Sequence, residues 1–107
     1  MGILDRLRGR AGAGRRNTLD RASQPVDLVH LEQFVATRRG VEGFVEPRTA
    51  VTETTIVLVA HDGEWTRRRI DGPGTARRLQ RDLGVPVHDA QVTGYPQRMR
   101  EWNEGHR

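Results

Sequence analysis

The chain has 107 residues, and its 18 positive side chains are all arginine, set against 14 acids, for a formal charge of +4 with neutral histidines. It contains no cysteine, which excludes disulfide frameworks, thiolate metal sites and thiol redox chemistry. Hydrophobic residues make up 35% of the chain, with two Phe, two Trp and one Tyr, enough for one thin core in a single small domain.

The charge is unevenly placed. Arg6, Arg8, Arg10, Arg15, Arg16 and Arg21 face only Asp5 and Asp20 in residues 1–21, a net of +4, so residues 22–107 balance twelve arginines with twelve acids. Residues 1–24 therefore read as an Arg- and Gly-rich arm, and 25–107 as a single domain. Exclusive use of arginine follows from GC-rich coding, so it is the position of the arginines that carries information. No apolar run approaches the roughly 18 residues that span a bilayer. The start MGILDRLRGR lacks the apolar core of a secretory signal, and the expectation is a soluble, cytoplasmic protein.

Within the arm, Ile3, Leu4 and Leu7 share one side of a short helical stretch and suggest a membrane-surface contact. The GRAGAG run, Gly9 to Gly14, follows no strand and precedes no lysine with Ser or Thr, so linker composition accounts for it better than a phosphate loop. Beyond it, Ser23 or Asp27 as cap, Pro25 in the first turn and Leu28, Leu31, Phe34 and Val35 at helical spacing predict a helix that Gly40 ends. Val41–Glu46 alternates as a short strand. Thr49–His61, rich in β-branched residues, predicts the strongest strand of the chain.

Asp62-Gly63 predicts a two-residue hairpin turn returning through Glu64–Ile70. That register sets Ala60 opposite Trp65, Leu58 opposite Arg67, Val57 opposite Arg68 and Ile56 opposite Arg69. Which hairpin face meets the helices stays open. After Asp71–Gly74, Thr75 caps a second helix with Ala76, Leu79 and Leu83 inward and Arg77, Arg78 and Arg81 outward; Gly84 and Pro86 stop it. Val85–Val92 predicts a last strand, parallel to its predecessor across a right-handed crossover. Residues 97–104 predict a short final helix presenting Met99 and Trp102. The fold class is α+β, a mixed sheet of three or four strands with two packed helices and a short C-terminal helix.

Between Trp65 and Arg81 six arginines meet only Asp71, a local +5, whereas residues 22–64 carry a net of −4. Candidate nucleic-acid contacts are Arg6, Arg8, Arg10, Arg15 and Arg16 of the arm, with Arg67, Arg69, Arg77 and Arg81. The alternatives are a solubilising tail and mutual pairing of charges within the domain. Trp65, Tyr95 and Arg98 are candidate interaction residues, against the plainer role of closing the edge of the core. Absence of aromatic interleaving beyond Trp65 argues against a stacking platform for single strands. His61, His88 and Asp89 are the only candidates for acid–base work, and they require the last strand to lie beside the hairpin. No histidine pair has helical zinc spacing, and no metal or cofactor is expected.

The stretch from Phe44 to Met99, and within it FVEPRTAVTETTIVLVAHDGEWTRRR, LGVPVHDAQV and GYPQRM, resembles a group of small proteins of high-GC Gram-positive bacteria. The resemblance implies a small α+β fold and brings no biochemistry onto these positions; the arm lies outside it. An oxidoreductase label sometimes attached to such chains finds no dinucleotide fingerprint here. Three readings stand: an accessory protein whose arginines contact nucleic acid or a ribonucleoprotein surface, a protein-interaction module or homodimer through the sheet edge centred on Val51–Ala60, and a small enzyme using His61 and His88 with nearby carboxylates.

Overall fold

The computed structural model describes residues 25–106. The arm, with its six arginines, Ile3, Leu4, Leu7 and the GRAGAG run, lies outside the described residues, as does Ser23. The elements in chain order are α1 (Pro25–Thr37), β1 (Glu42–Glu46), β2 (Thr55–Val59), β3 (Trp65–Arg69), α2 (Pro73–Leu83), β4 (Val87–Asp89), α3 (Ala90–Thr93) and α4 (Gln97–Gly105). The strands form one mixed sheet in the order β3-β2-β1-β4, antiparallel except for the β1–β4 pair. The α+β class is as expected, with α3 as an added short helix.

The two faces of the sheet carry separate cores. On one, Val45, Ile56, Leu58 and Ile70 pack with Leu31 and Phe34 of α1 and Ala76 and Leu79 of α2. On the other, Phe44, Val57 and Val59 pack with Met99 of α4 and half-buried Trp65. Helices therefore cover both faces, which explains why neither face of the hairpin reads as polar. Leu31, Ile56, Leu58, Ile70, Val57 and Val59 are fully enclosed, each worth about 1.5–3 kcal/mol of apolar burial.

The hairpin differs from expectation by one residue. Ala60 N donates to Glu64 O at 2.8 Å and Gly63 N to Ala60 O at 2.9 Å, so the loop is His61–Gly63, three residues long, with Gly63 at φ +97°. This is a type I turn closed by a left-handed glycine. The register becomes Val59↔Trp65, Leu58↔Thr66, Val57↔Arg67, Ile56↔Arg68 and Thr55↔Arg69. A one-residue shift moves every β3 side chain to the other face. Trp65, Arg67 and Arg69 accordingly join Val57 and Val59, and Ile70 enters the α1–α2 core at 0% exposure. Burying Ile70 there is the apolar gain that the two-residue turn would forfeit.

Three element boundaries also differ from expectation, two of them for a local hydrogen-bonding reason. The Thr49–His61 stretch is strand only from Thr55, because the Thr49 hydroxyl accepts from Val51 N (3.2 Å) and Thr52 N (3.0 Å) and turns the chain. Threonine hydroxyls compete with the ladder in this way. The second helix starts at Pro73 after Gly72, and Thr75, expected as its cap, is buried inside it. The last strand ends at Asp89, whose carboxylate accepts from Gln91 N at 2.8 Å and opens α3.

Strand β4 is parallel to β3, yet the two are not neighbours: β4 pairs with β1 at the far edge. Gly43 of β1 sits in a crowded space between β2 and β4. A Cβ there would lie 3.1 Å from Ile56 Cδ1 and 3.4 Å from Val87 Cγ2, and Gly43 N donates to Pro86 O at 2.8 Å. No helix among the described residues is long and apolar enough to cross a membrane.

Candidate functional site

Strand alternation places Glu42, Phe44 and Glu46 of β1 on the α4 side of the sheet, together with Thr55, Arg67 and Arg69 of β2 and β3 and His88 of β4. The two carboxylates, four residues apart, each gather a polar cluster around Phe44.

Glu46 is the centre of the first. Arg67 grips it with two parallel bonds, Nε to Oε1 at 2.8 Å and Nη2 to Oε2 at 3.0 Å, the bidentate geometry that suits guanidinium and carboxylate. Thr55 Oγ1 donates to Oε1 at 2.5 Å, and the Tyr95 hydroxyl donates to Oε2. Burial pushes the Glu46 carboxyl up, but the hydrogen bonds from Arg67, Thr55 and Tyr95 together outweigh it and hold the group below its ordinary value. Tyr95 is raised by burial and by its bond to that carboxylate. The Tyr95 ring is backed by Phe44, with centroids 6.1 Å apart.

This cluster forms one wall of an open groove of about 530 Å³ between the β1–β2 connection and α3, within the size range of ligand clefts. Thr49, Thr52 and Gln91 supply further polar groups to it. The large hydrophobic side chains exposed among the described residues are Val51 (89%), Val92 (81%) and Tyr95 (36%). Tyr95 lines the groove, and Val51 and Val92 belong to the two segments that flank it.

Glu42 is the centre of the second cluster. Arg98 Nη2 donates to Oε1 at 2.8 Å and His88 Nε2 lies 3.2 Å from Oε2. The Arg98 bond lowers the Glu42 carboxyl, burial opposes it, and His88 adds to the lowering. Arg98 Nε also donates to Ala60 O at 2.8 Å, so this side chain ties α4 to β1 and the end of β2.

The expected site residues thus divide. Arg98 is engaged within the domain, and so is Trp65, whose Nε1 donates to Asn103 at 2.8 Å while Arg67 lies 5.3 Å from the centroid of its ring. His88 and Asp89 point to opposite faces as successive strand residues, and Asp89 caps α3. His61 sits in the hairpin loop, its backbone N–H bonded to Arg39 O, whereas His88 pairs with Glu42 across β1 from the hairpin. Among the described residues, no group of three or more His, Asp or Glu side chains could hold a metal ion.

The Trp65–Arg81 patch is split by the fold. Arg67 is spent on Glu46 and Arg68 on Asp27 at 3.5 Å on the opposite face, as Arg38 is on Glu64. Arg69, Arg77 and Arg81 are exposed, and none of the three belongs to an ion pair among the described residues. The Val51–Ala60 segment cannot be the edge for a sheet-to-sheet dimer, because β2 is flanked by β1 and β3. The outer strand β3 bears Arg67, Arg68 and Arg69, a charge load that blunts edge pairing.

Sequence reading missed Glu46, Thr55 and the groove. The one available signal was the pair of acids in EGFVE, two residues either side of Phe44 and hence on one strand face. Comparison with family models, with curated proteins and with solved structures finds no match to this chain. The functional reading therefore rests on its own geometry.

Proposed function

We propose that the protein is a small binding protein whose arginines engage a polyanion, nucleic acid or a ribonucleoprotein surface, with the +4 arm adding electrostatic affinity. The observation that supports this is the division among the arginines. Arg38, Arg67, Arg68 and Arg98 are held by carboxylates, whereas Arg69, Arg77 and Arg81 stand exposed without such partners among the described residues. Arg77 and Arg81, four apart on α2, share one helix face. That face is opposite buried Ala76 and Leu79. Guanidinium groups displayed this way suit phosphate, and each phosphate neutralised releases condensed counterions.

Fluorescence anisotropy with labelled oligonucleotides, read from low to moderate salt, tests this. Binding should weaken steeply with salt, and deleting residues 2–21 should weaken it further at every salt concentration. Affinity that is absent at low salt, or unchanged by both the deletion and Arg77→Ala/Arg81→Ala, would reject the proposal.

A further inference from the structure

We infer that the groove beside Tyr95 binds an alkylguanidinium, the side-chain group of arginine, at a site separate from the arginines that engage the polyanion.

The lining decides the sign of the ligand. Glu46 and Arg67 neutralise one another through two parallel bonds, and Glu53 leaves the groove at a net of −1. Glu53 is exposed and belongs to no ion pair among the described residues. That carboxylate repels an anionic ligand and matches a monocation. A hard metal ion calls for several oxygen ligands at once. Both Glu46 oxygens are already engaged, by Arg67, Thr55 and Tyr95, and no group of acids and histidines among the described residues could hold a metal. The charge therefore suits an organic cation.

The ring selects guanidinium. Tyr95 lines the groove, its hydroxyl donating to Glu46 and its ring backed by Phe44. It is thus fixed in place, and donation to a carboxylate enriches the ring in electrons. A cation over such a ring is attracted by its quadrupole. A guanidinium, planar and weakly hydrated, stacks there while its fork binds a carboxylate.

This domain already joins these three groups twice. Arg38 lies 4.5 Å from the centroid of Phe34 and holds Glu64 with Nε at 3.2 Å and Nη2 at 2.7 Å. Arg67 lies 5.3 Å from that of Trp65 and holds Glu46 in the same way. In the groove, Tyr95 and Glu53 contribute the ring and the carboxylate, and the ligand contributes the guanidinium. Thr52 and Gln91 supply a hydroxyl and an amide oxygen to accept from its remaining N–H groups.

The site is independent of the polyanion reading. Glu46, Thr55 and Arg67 are on the α4 side of the sheet, whereas α2, which carries Arg77 and Arg81, packs against the other side. Two sources can present the group: a free guanidino compound, or one of the six arginines of residues 1–21.

A heteronuclear NMR titration of the full chain, following the backbone amides of Thr52, Glu53 and Gln91, tests this. The probes are N-acetyl-arginine methylamide, its lysine analogue, and its citrulline analogue, which keeps the shape of arginine without the charge. The arginine probe should bind roughly tenfold more tightly than the citrulline probe, the combined effect of one exposed ion pair and one cation–π contact, and more tightly than the lysine probe. Glu53→Gln, at an exposed position, should weaken it about threefold with the melting temperature unchanged. Tyr95→Leu should also weaken it, while Tyr95→Phe, which keeps the ring, should not. Arg77→Ala/Arg81→Ala should leave it unaltered, so that failure of this site and failure of nucleic-acid binding are read separately. The chain lacking residues 2–21 separates the sources: unchanged affinity assigns the site to a free compound, and a higher affinity assigns it to the arm. Equal binding of the arginine probe and either analogue, no binding of the arginine probe by either chain, or indifference to both Glu53→Gln and Tyr95→Leu would overturn the inference.

Discussion

Arg98 reaches from the first turn of α4 to Glu42 on β1, Nη2 to Oε1 at 2.8 Å, and its Nε holds the carbonyl of Ala60 at the same distance. One planar guanidinium thus ties α4 to the sheet where the β1–β2 ladder ends, at the Glu42–Val59 pair. A lysine carries a single point of charge and cannot reproduce the fork.

Arg98→Ala should destabilise the protein by about 2 kcal/mol, because it strips a half-buried carboxylate and a carbonyl of a charged donor at once. Arg98→Lys should recover only part of this. Urea denaturation of both variants checks the order, and an Arg98→Ala variant as stable as the parent would show the tie to be dispensable.

Two glycines should respond to alanine in opposite directions. A Cβ on Gly63 would lie 2.0 Å from Arg98 O, at φ +97°, so Gly63→Ala should cost at least about 2 kcal/mol from left-handed strain and overlap with the backbone of α4. Gly74, in the first turn of α2, has nothing within 4 Å of its Cβ position, and Gly74→Ala should stabilise by about 0.5 kcal/mol through reduced backbone freedom of the unfolded chain. Thermal melts of the pair decide the matter by sign alone.

Removing exposed and engaged arginines should separate binding from stability. Arg77→Ala/Arg81→Ala should leave the melting temperature nearly unchanged and lower the slope of log affinity against log salt by about 2, one for each phosphate no longer neutralised. Arg67→Ala should instead lower stability, since it leaves Glu46 with two of its three partners and a partly buried carboxylate without its counter-charge.

Acid should weaken the fold in two stages. His30, bonded to Thr66 at 2.7 Å, has its pKa lowered from 6.5 by burial and by Arg68 and Arg38, against an opposing effect of Asp27. The unfolded chain therefore takes up this proton first, and stability starts to fall as pH drops through about 6.5. Glu42 and Glu46 are lowered from 4.5; their contribution is complete above that value and is lost as pH falls through their lower folded values. Denaturant midpoints measured from pH 8 to pH 3 should decline in both windows, and His30→Gln should abolish the first decline only.

Local signals were sufficient where one segment decides its own conformation. Helix α1 followed from Pro25 and the spacing of Leu28, Leu31, Phe34 and Val35, the end of α2 from Gly84 and Pro86, and α4 from the chain after Pro96. The outward display of Arg77 and Arg81 followed from the same periodicity. Register was beyond that reach, because Asp62-Gly63 suits loops of two and three residues alike and the choice turns on where Ile70 can be buried. The candidate site was legible only in fragments for a similar reason: Glu46, Thr55, Arg67 and Tyr95 lie on separate elements, and pairing across the sheet brings them to one carboxylate.

The arginine sequence by itself determined the distribution of charge along the chain, a +4 segment ahead of a balanced one, since formal charge is a property of composition. Which of those charges remain available was decided by tertiary structure alone. A carboxylate neutralises an arginine only within a few ångströms, and it is the fold that sets Glu46 on Arg67, Asp27 on Arg68 and Glu42 on Arg98 while leaving Arg69, Arg77 and Arg81 exposed.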